Sequence, residues 1–256
     1  MSPFSKKLLE KASQILENYK EPKEADAQTL HSFFPSSFSL AETIDHTLLK
    51  TDATKTDIHK LAKEAIDFGF KAVCVQPIAL PWVVEFFQKN SAVQPLKAVV
   101  IGFPQGANLS QSKADEAKRV LAFGVDEIDV VAPISLLKSA LWEEVEEELV
   151  KIRTAAGKTV LKLIFETAIL TDLEIASLSI LALENHYDFL KTSTGFSAQG
   201  ANLHSVSLLV HCAQKKALVK ASGGIKNQDQ ALQMLYIGAN RLGTSSGVAL
   251  AEKKRN

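Results

Sequence analysis

The sequence predicts an α/β fold, a (β/α)8 TIM barrel with an N-terminal helical extension, on three observations. Short apolar runs recur eight times, helical patterns ending at glycines lie between them, and the residues that end the runs are unusually polar. The chain has 256 residues, 46% hydrophobic and 23% charged, a size at which such a barrel closes as one domain. An extension over residues 1–38 and a barrel over residues 39–256 are therefore expected.

Taken in order, Phe4, Leu8, Leu9, Ala12, Ile15 and Leu16 recur with a helical period, and Glu21-Pro22 and Phe34-Pro35 then break the pattern, so a helix followed by a polar connection is expected. The eight runs are Thr43–Asp45, Ala72–Val75, Ala98–Ile101, Glu127–Val131, Val160–Phe165, Phe189–Lys191, Leu218–Lys220 and Arg241–Gly243. Their spacing averages roughly 28 residues, the length of one strand, one helix and two short loops. Between them, Lys55–Asp67 places Ile58, Leu61, Ala62, Ala65 and Ile66 on one face before Gly69, while Ala114–Phe123 stops at Gly124 and Leu141–Ala156 at Gly157. Glu143, Glu144, Glu146, Glu147 and Glu148 read as a solvated helix face, because consecutive helical positions diverge and do not converge on a metal.

Composition excludes several function classes. Lys+Arg and Asp+Glu are balanced at 29 each, so no global basic surface recruits nucleic acid, and any anion must be held locally. Cys74 and Cys212 stand far apart with no CxxC or Cys/His spacing, which argues against a disulfide framework or a zinc site and for a reducing compartment. No run reaches the 18 or so apolar residues of a membrane span, and the start of the chain, with Lys6, Lys7, Leu8, Leu9 and Glu10, lacks the apolar region of a secretion signal. A soluble cytoplasmic protein with no nucleic-acid or membrane partner is expected.

The chemistry is carried by strand ends, where barrels build their sites. Lys191 ends an apolar run directly before Thr192-Ser193-Thr194-Gly195, and Lys220 repeats the arrangement before Ala221-Ser222-Gly223-Gly224. Two such lysines suit amine nucleophile chemistry, since a neighbouring ammonium disfavours the charged form of the other and lowers its pKa. The first run offers Asp45, the fourth Asp129 and the fifth Glu166, and Lys162 points inward if the alternation with Leu161 and Leu163 holds. Ser222-Gly223-Gly224 and Gly243-Thr244-Ser245-Ser246-Gly247 follow the last two strands and offer backbone N–H groups and hydroxyls where barrels hold phosphate. His46 follows Asp45 and reads as a structural histidine, and none of the histidines shows ligand spacing. The same residues leave room for strand-end lysines that merely snorkel, for a phosphate-binding isomerase, for another lysine aldolase of transaldolase type, and for a sugar-phosphate sensor.

Over roughly residues 40 to 250 the chain resembles the deoxyribose-phosphate aldolases, lysine-dependent class I aldolases on a βα barrel. The matching segments are Ile44-Asp45-His46-Thr47-Leu48-Leu49-Lys50, Ala72-Val73-Cys74-Val75, Val100-Ile101-Gly102-Phe103-Pro104-Gln105-Gly106, Asp126-Glu127-Ile128-Asp129-Val130-Val131, Lys191-Thr192-Ser193-Thr194-Gly195 and Lys220-Ala221-Ser222-Gly223-Gly224-Ile225. The resemblance implies reversible cleavage of 2-deoxy-D-ribose 5-phosphate to acetaldehyde and D-glyceraldehyde 3-phosphate, with no cofactor and no metal. It implies a Schiff base on Lys191, a pKa-lowering partner in Lys220, and proton transfer by Asp129. Asp45, Thr194, Lys162 and Cys74 would meet the substrate, and Gly195, Gly223, Gly224, Gly243, Ser245, Ser246 and Lys226 would hold its phosphate. A homodimer or a higher homo-oligomer is left open. Three departures stand out: Phe196 where some members carry a lysine, Gln76 where asparagine is common, and a tail from Ala251 to Asn256 without the tyrosine that some members use in proton exchange.

Overall fold

Eight parallel strands close into a barrel in chain order in the computed structural model, which describes residues 1–90 and 93–252. They are β1 (Ile44–Leu48), β2 (Ala72–Val75), β3 (Leu96–Ile101), β4 (Glu127–Val131), β5 (Val160–Ile164), β6 (Phe189–Lys191), β7 (Leu218–Ser222) and β8 (Arg241–Thr244). These are the eight strands the apolar runs predict. The largest change is at β1, which continues through His46 and Thr47 to Leu48.

Two-residue alternation sorts the strand side chains. Val73, Val75, Val99, Ile101, Ile128, Val130, Leu161, Leu163 and Leu190 form one buried cluster with helix residues such as Leu61, Val83, Leu149 and Leu209. Ala72, Cys74, Ala98 and Val100 alternate with them and pack with Leu49 as a separate, smaller cluster inside the barrel. Small residues on the β2–β3 wall leave the interior to longer side chains from the other strands. Being buried on both faces, the strands read as nearly continuous apolar runs.

The outer layer consists of α1 (Pro3–Glu17), α2 (Ala27–Phe33), α3 (Lys55–Phe68), α4 (Leu80–Asn90), α5 (Ser110–Leu121), α6 (Ile134–Lys138), α7 (Trp142–Ala156), α8 (Asp172–Glu184), α9 (Leu203–Ala213), α10 (Gln228–Tyr236) and α11 (Gly247–Ala251). Their ends follow local chemistry. Thr54 and Asp57 form a capping box at the start of α3, and Gly69 closes it in the left-handed region. In the extension, Ser2 caps α1, whose Leu8 and Ala12 are buried in the main core. The connection after α1 holds a second helix, α2, capped by Asp26 and burying Leu30. His204 at the start of α9 ties the segment down, with its two ring nitrogens 2.8 Å from Glu21 and 2.9 Å from Asp172. Those carboxylates outweigh the partial burial that opposes its charge and raise its pKa.

One glutamate departs from the solvated face the sequence suggests. Glu148 on α7 is buried, accepting from Lys113 Nζ of α5 at 2.6 Å and from Ser110 Oγ at 2.9 Å. Lys113 also donates to the Val131 carbonyl at 2.9 Å, so the pair braces the end of β4 from outside. Removing one member strands the other as a buried charge. Glu148→Leu is expected to lower stability by about 3–5 kcal/mol, read from urea unfolding, and the double change Lys113→Met with Glu148→Leu is expected to recover most of the loss.

Candidate active site

The barrel interior opposite the small-residue wall is charged. Alternation turns Glu127 and Asp129 inward from β4, and the same rule places Lys162 on β5, Lys191 on β6, Lys220 on β7, Arg241 on β8 and Asp45 on β1. All seven are buried, Lys191 with 2% of its surface exposed. Strand register sets them side by side: Asp129 lies opposite Lys162, Lys191 opposite Lys220, and Lys220 opposite Arg241.

Asp129 is the hub. Its Oδ1 accepts from Lys162 Nζ at 2.7 Å, and its Oδ2 accepts from both Lys191 Nζ at 2.7 Å and Lys220 Nζ at 2.8 Å. Asp45 pairs with Lys220 at 2.5 Å and accepts from Arg241, while Glu127 accepts from Lys162 at 2.5 Å and from Arg241 at 3.1 and 3.0 Å. Three carboxylates thus face four cations. Lys220 and Arg241 each pair with two carboxylates and Lys162 with three, Asp45 at 3.8 Å being the most distant, whereas Lys191 touches one oxygen that it shares with Lys220.

That asymmetry separates the lysines electrostatically. Burial pushes the Lys191 pKa down, and the Lys220 ammonium adds to the effect, so the pull of Asp129 does not restore it. Burial opposes the charge of Lys220 too, but Asp129 and Asp45 outweigh it and hold its pKa above the ordinary lysine value. Burial likewise works against ionised Asp45, yet Lys220, Lys162 and Arg241 bring its pKa down to about 2. Asp129 is held well below the usual carboxylate range by Lys162, Lys191 and Lys220 against the same desolvation. Cys74 Sγ lies 4.0 Å from Asp129 Oδ2, and burial pushes its thiol pKa up.

Above this cluster opens a cavity of about 380 Å³. Lys191 reaches it, and Thr194, Gly195, Gly223, Gly224, Gly243, Ser245, Ser246 and Lys226 line it, so the turn residues named from sequence surround one space. Gly223 has φ +84°, and a Cβ there would stand 3.1 Å from Gly200 Cα and 3.2 Å from Gly195 Cα, so glycine lets the turns after β6 and β7 pack backbone to backbone. Gly243 makes room in another way: a Cβ would lie 3.0 Å from Lys220 Cε. Thr194 donates to the buried carboxylate of Glu166, which follows β5 in the left-handed region at φ +56°.

Asp129, Lys220, Asp45, Lys162 and Cys74 do not line the cavity and lie in the cluster behind Lys191. His46 faces out of the barrel, its Nε2 2.8 Å from Glu64 on α3. Phe196 lines the cavity with its ring edge-on to Phe103, centroids 5.2 Å apart. Glu127 and Arg241 are not among the residues expected from sequence, although the alternation that turns Lys162 inward finds them two residues before Asp129 and Gly243. Nor are Thr47 and Lys50, which line the cavity where β1 runs on farther than its apolar residues suggest. Residues 253–256 of the tail lie outside the described residues. Among the described residues no group of His, Cys, Asp or Glu is arranged to hold a metal ion, and no helix is long and apolar enough to cross a membrane.

Comparison with known proteins finds aldolases. A deoxyribose-phosphate aldolase of Thermus thermophilus is 46% identical over 212 residues, covering 82% of this chain and 94% of its own. The enzyme of that name from Thermococcus gammatolerans is 44% identical over 220 residues, covering 85% and 97%. Among solved structures, the tetrameric deoxyribose phosphate aldolase of Aeropyrum pernix superposes with a TM-score of 0.74 at 29% identity over 98% of this chain and 97% of that one. An aldolase designated QR15 gives 0.78 at 35% identity over 83% and 94%. The model of the DeoC/LacD family aldolases matches residues 40–251, the whole barrel with its charged cluster and its turns, and the chain belongs to that family.

Proposed function

We propose that this aldolase reversibly cleaves 2-deoxy-D-ribose 5-phosphate to acetaldehyde and D-glyceraldehyde 3-phosphate through a Schiff base on Lys191. One observation carries the reading: of the seven buried charged residues in the cluster, Lys191 alone lines the cavity, and it is the cation with the weakest claim on a carboxylate. A neutral amine is what attack on a carbonyl needs.

The open-chain aldehyde enters with C1 towards Lys191. The amine adds to C1, and loss of water from the carbinolamine gives a protonated imine. As the C3 hydroxyl gives up its proton the C2–C3 bond breaks, its electron pair moves towards the imine nitrogen, and glyceraldehyde 3-phosphate leaves an enamine behind. Protonation at C2 and addition of water then release acetaldehyde and the free lysine. Asp129, 2.7 Å from Lys191 and 2.8 Å from Lys220, serves the proton transfers with Lys220 and a water. Asp45, Lys162 and Cys74 support these groups from behind, while Thr194 borders the substrate. The phosphate rests on the turn amides and hydroxyls of Gly195, Gly223, Gly224, Gly243, Ser245 and Ser246, with Lys226 at the rim. No cofactor enters these steps. A cytoplasmic enzyme working without nucleic acid or membrane fits this substrate, and a homo-oligomer is the assembly we infer from the tetrameric Aeropyrum pernix relative.

Borohydride reduction of the protein with deoxyribose 5-phosphate, followed by mass spectrometry, should place the adduct on Lys191; an adduct elsewhere, or none, overturns the reading. Lys191→Arg should abolish cleavage with the circular dichroism spectrum unchanged, because a guanidinium stays protonated at any working pH. Lys220→Leu leaves three cations to three carboxylates, which raises the Lys191 pKa. Its activity is expected to fall at neutral pH and to recover in part towards pH 9 or 10, near the ordinary lysine value of about 10.4. A uniformly lowered profile would show that Lys220 works by contact instead. For Ser246→Asp, kcat/KM with deoxyribose 5-phosphate is expected to drop by about a hundredfold, roughly 2.7 kcal/mol, with a much smaller loss on unphosphorylated deoxyribose.

A further inference from the structure

Two members of the buried cluster take no part in the chemistry above. Glu127 and Arg241 open β4 and β8, and neither lines the cavity. They are nonetheless tightly placed. Arg241 donates from Nε to Asp45 Oδ1 at 2.7 Å and from its two terminal nitrogens to the two oxygens of Glu127 at 3.1 and 3.0 Å, while Lys162 spans from Glu127 at 2.5 Å to Asp129 at 2.7 Å. The Phe189 ring lies under both cations, 5.7 Å from Lys162 Nζ and 5.9 Å from the Arg241 guanidinium carbon.

We propose that Arg241 and Glu127 are positioning residues that set the charge of the site from beneath: Arg241 brings the cations to four against three carboxylates and so leaves Lys191 without a counter-charge of its own. The groups around Lys191 make the count. Asp129 faces it from β4, Lys220 from β7 and Cys74 from β2; Lys162 on β5, Asp45 on β1, Glu127 on β4 and Arg241 on β8 complete the connected cluster. The thiol stays neutral, its pKa raised by burial. Glu166 after β5 is engaged by Thr194 and forms no ion pair with the four cations, and Lys50 and Lys226 stand exposed at the cavity rim. Without the Arg241 charge, three cations meet three carboxylates, and a protonated Lys191 completes the balance. Removing the Glu127 charge as well leaves Lys162, Lys191 and Lys220 against Asp45 and Asp129, which restores a surplus of one cation.

This inference rests on Lys191 as the nucleophile, and its test reads the ionisation of that amine. The protein is incubated with acetaldehyde and borohydride across roughly pH 5 to 10, and the fraction of Lys191 reduced to its ethyl adduct is followed by mass spectrometry. In Arg241→Met the midpoint of the acid limb should move up by about one pH unit or more. Arg241→Lys should keep the parent midpoint, and Arg241→Met with Glu127→Gln should return to it. An unmoved midpoint in Arg241→Met, or a raised one in the double variant, overturns the proposal. Should Arg241→Met fail to fold, Glu127→Gln alone decides: with two surplus cations its midpoint should lie at or below that of the parent, and a higher one overturns the proposal. Absence of any adduct on Lys191 in the parent would remove the nucleophile reading and this inference together, whereas a missing shift removes this inference alone.

Discussion

Charges enclosed in a barrel constrain the rest of the molecule. Taking an ion out of water costs several kcal/mol even after relaxation, so each of the seven charged side chains has to find partners within a few ångströms. The interior is shaped to that end. Ala72, Cys74, Ala98 and Val100 keep one wall thin, and Gly243 leaves the space that the Lys220 stem occupies. The carboxylates are held ionised by the cations and the cations are held in place by the carboxylates. With one cation in excess, the desolvation is borne by the residue with the poorest share. That residue is Lys191, so its lowered pKa follows from the composition of the cluster as much as from any single neighbour.

Position and recognition are divided between strands and turns. Register puts Asp129 beside Lys162 and Lys191 beside Lys220, and a strand buried on both faces cannot slip without turning its apolar set inward. The turns have no such ladder and are fixed by close approach: Gly223 against Gly195 and Gly200, Thr194 against Glu166, and the Ala201 amide against the Ser222 and Gly223 carbonyls at 3.0 Å. Outside the barrel, Lys113 holds the Val131 carbonyl at the end of the strand that carries Asp129. In the reaction we propose, the reacting groups then sit on rigid elements and the anion contacts on backbone, which suits a substrate that must be gripped at one end while a bond breaks at the other.

Much of this is legible in the chain. The runs ending at Lys191 and Lys220 are strands, and the turn residues read as anion contacts surround one cavity, because strand alternation and glycine-rich turns are local signals. Other features depend on contacts that no local pattern encodes. Helix α2 buries a single residue, Leu30, and so shows no apolar period. Thr47 and His46 belong to β1 although they are polar, because one faces the cavity and the other meets Glu64 behind the strand. Glu148 looks like its exposed neighbours until Lys113, thirty-five residues away, comes beside it. Glu127 and Arg241 lie at strand starts, where a charge is usually a solvated end; only closure of the barrel brings them 3.0 Å apart.

The cavity rim bears on how the proposed substrate arrives. The chain as a whole carries 29 basic and 29 acidic residues, so it offers a phosphate no long-range attraction. Locally the balance differs: Lys50 and Lys226 stand exposed at the cavity rim. A cleft with low-dielectric walls focuses such a local charge, so in the reaction we propose these two lysines favour the phosphate end of the sugar at the turns and leave the uncharged aldehyde end to reach Lys191. With Lys191 neutral, three cations and three carboxylates balance in the buried cluster, so in the reaction we propose recognition of the anion falls to the rim and the turns, and the chemistry to the amine beneath them.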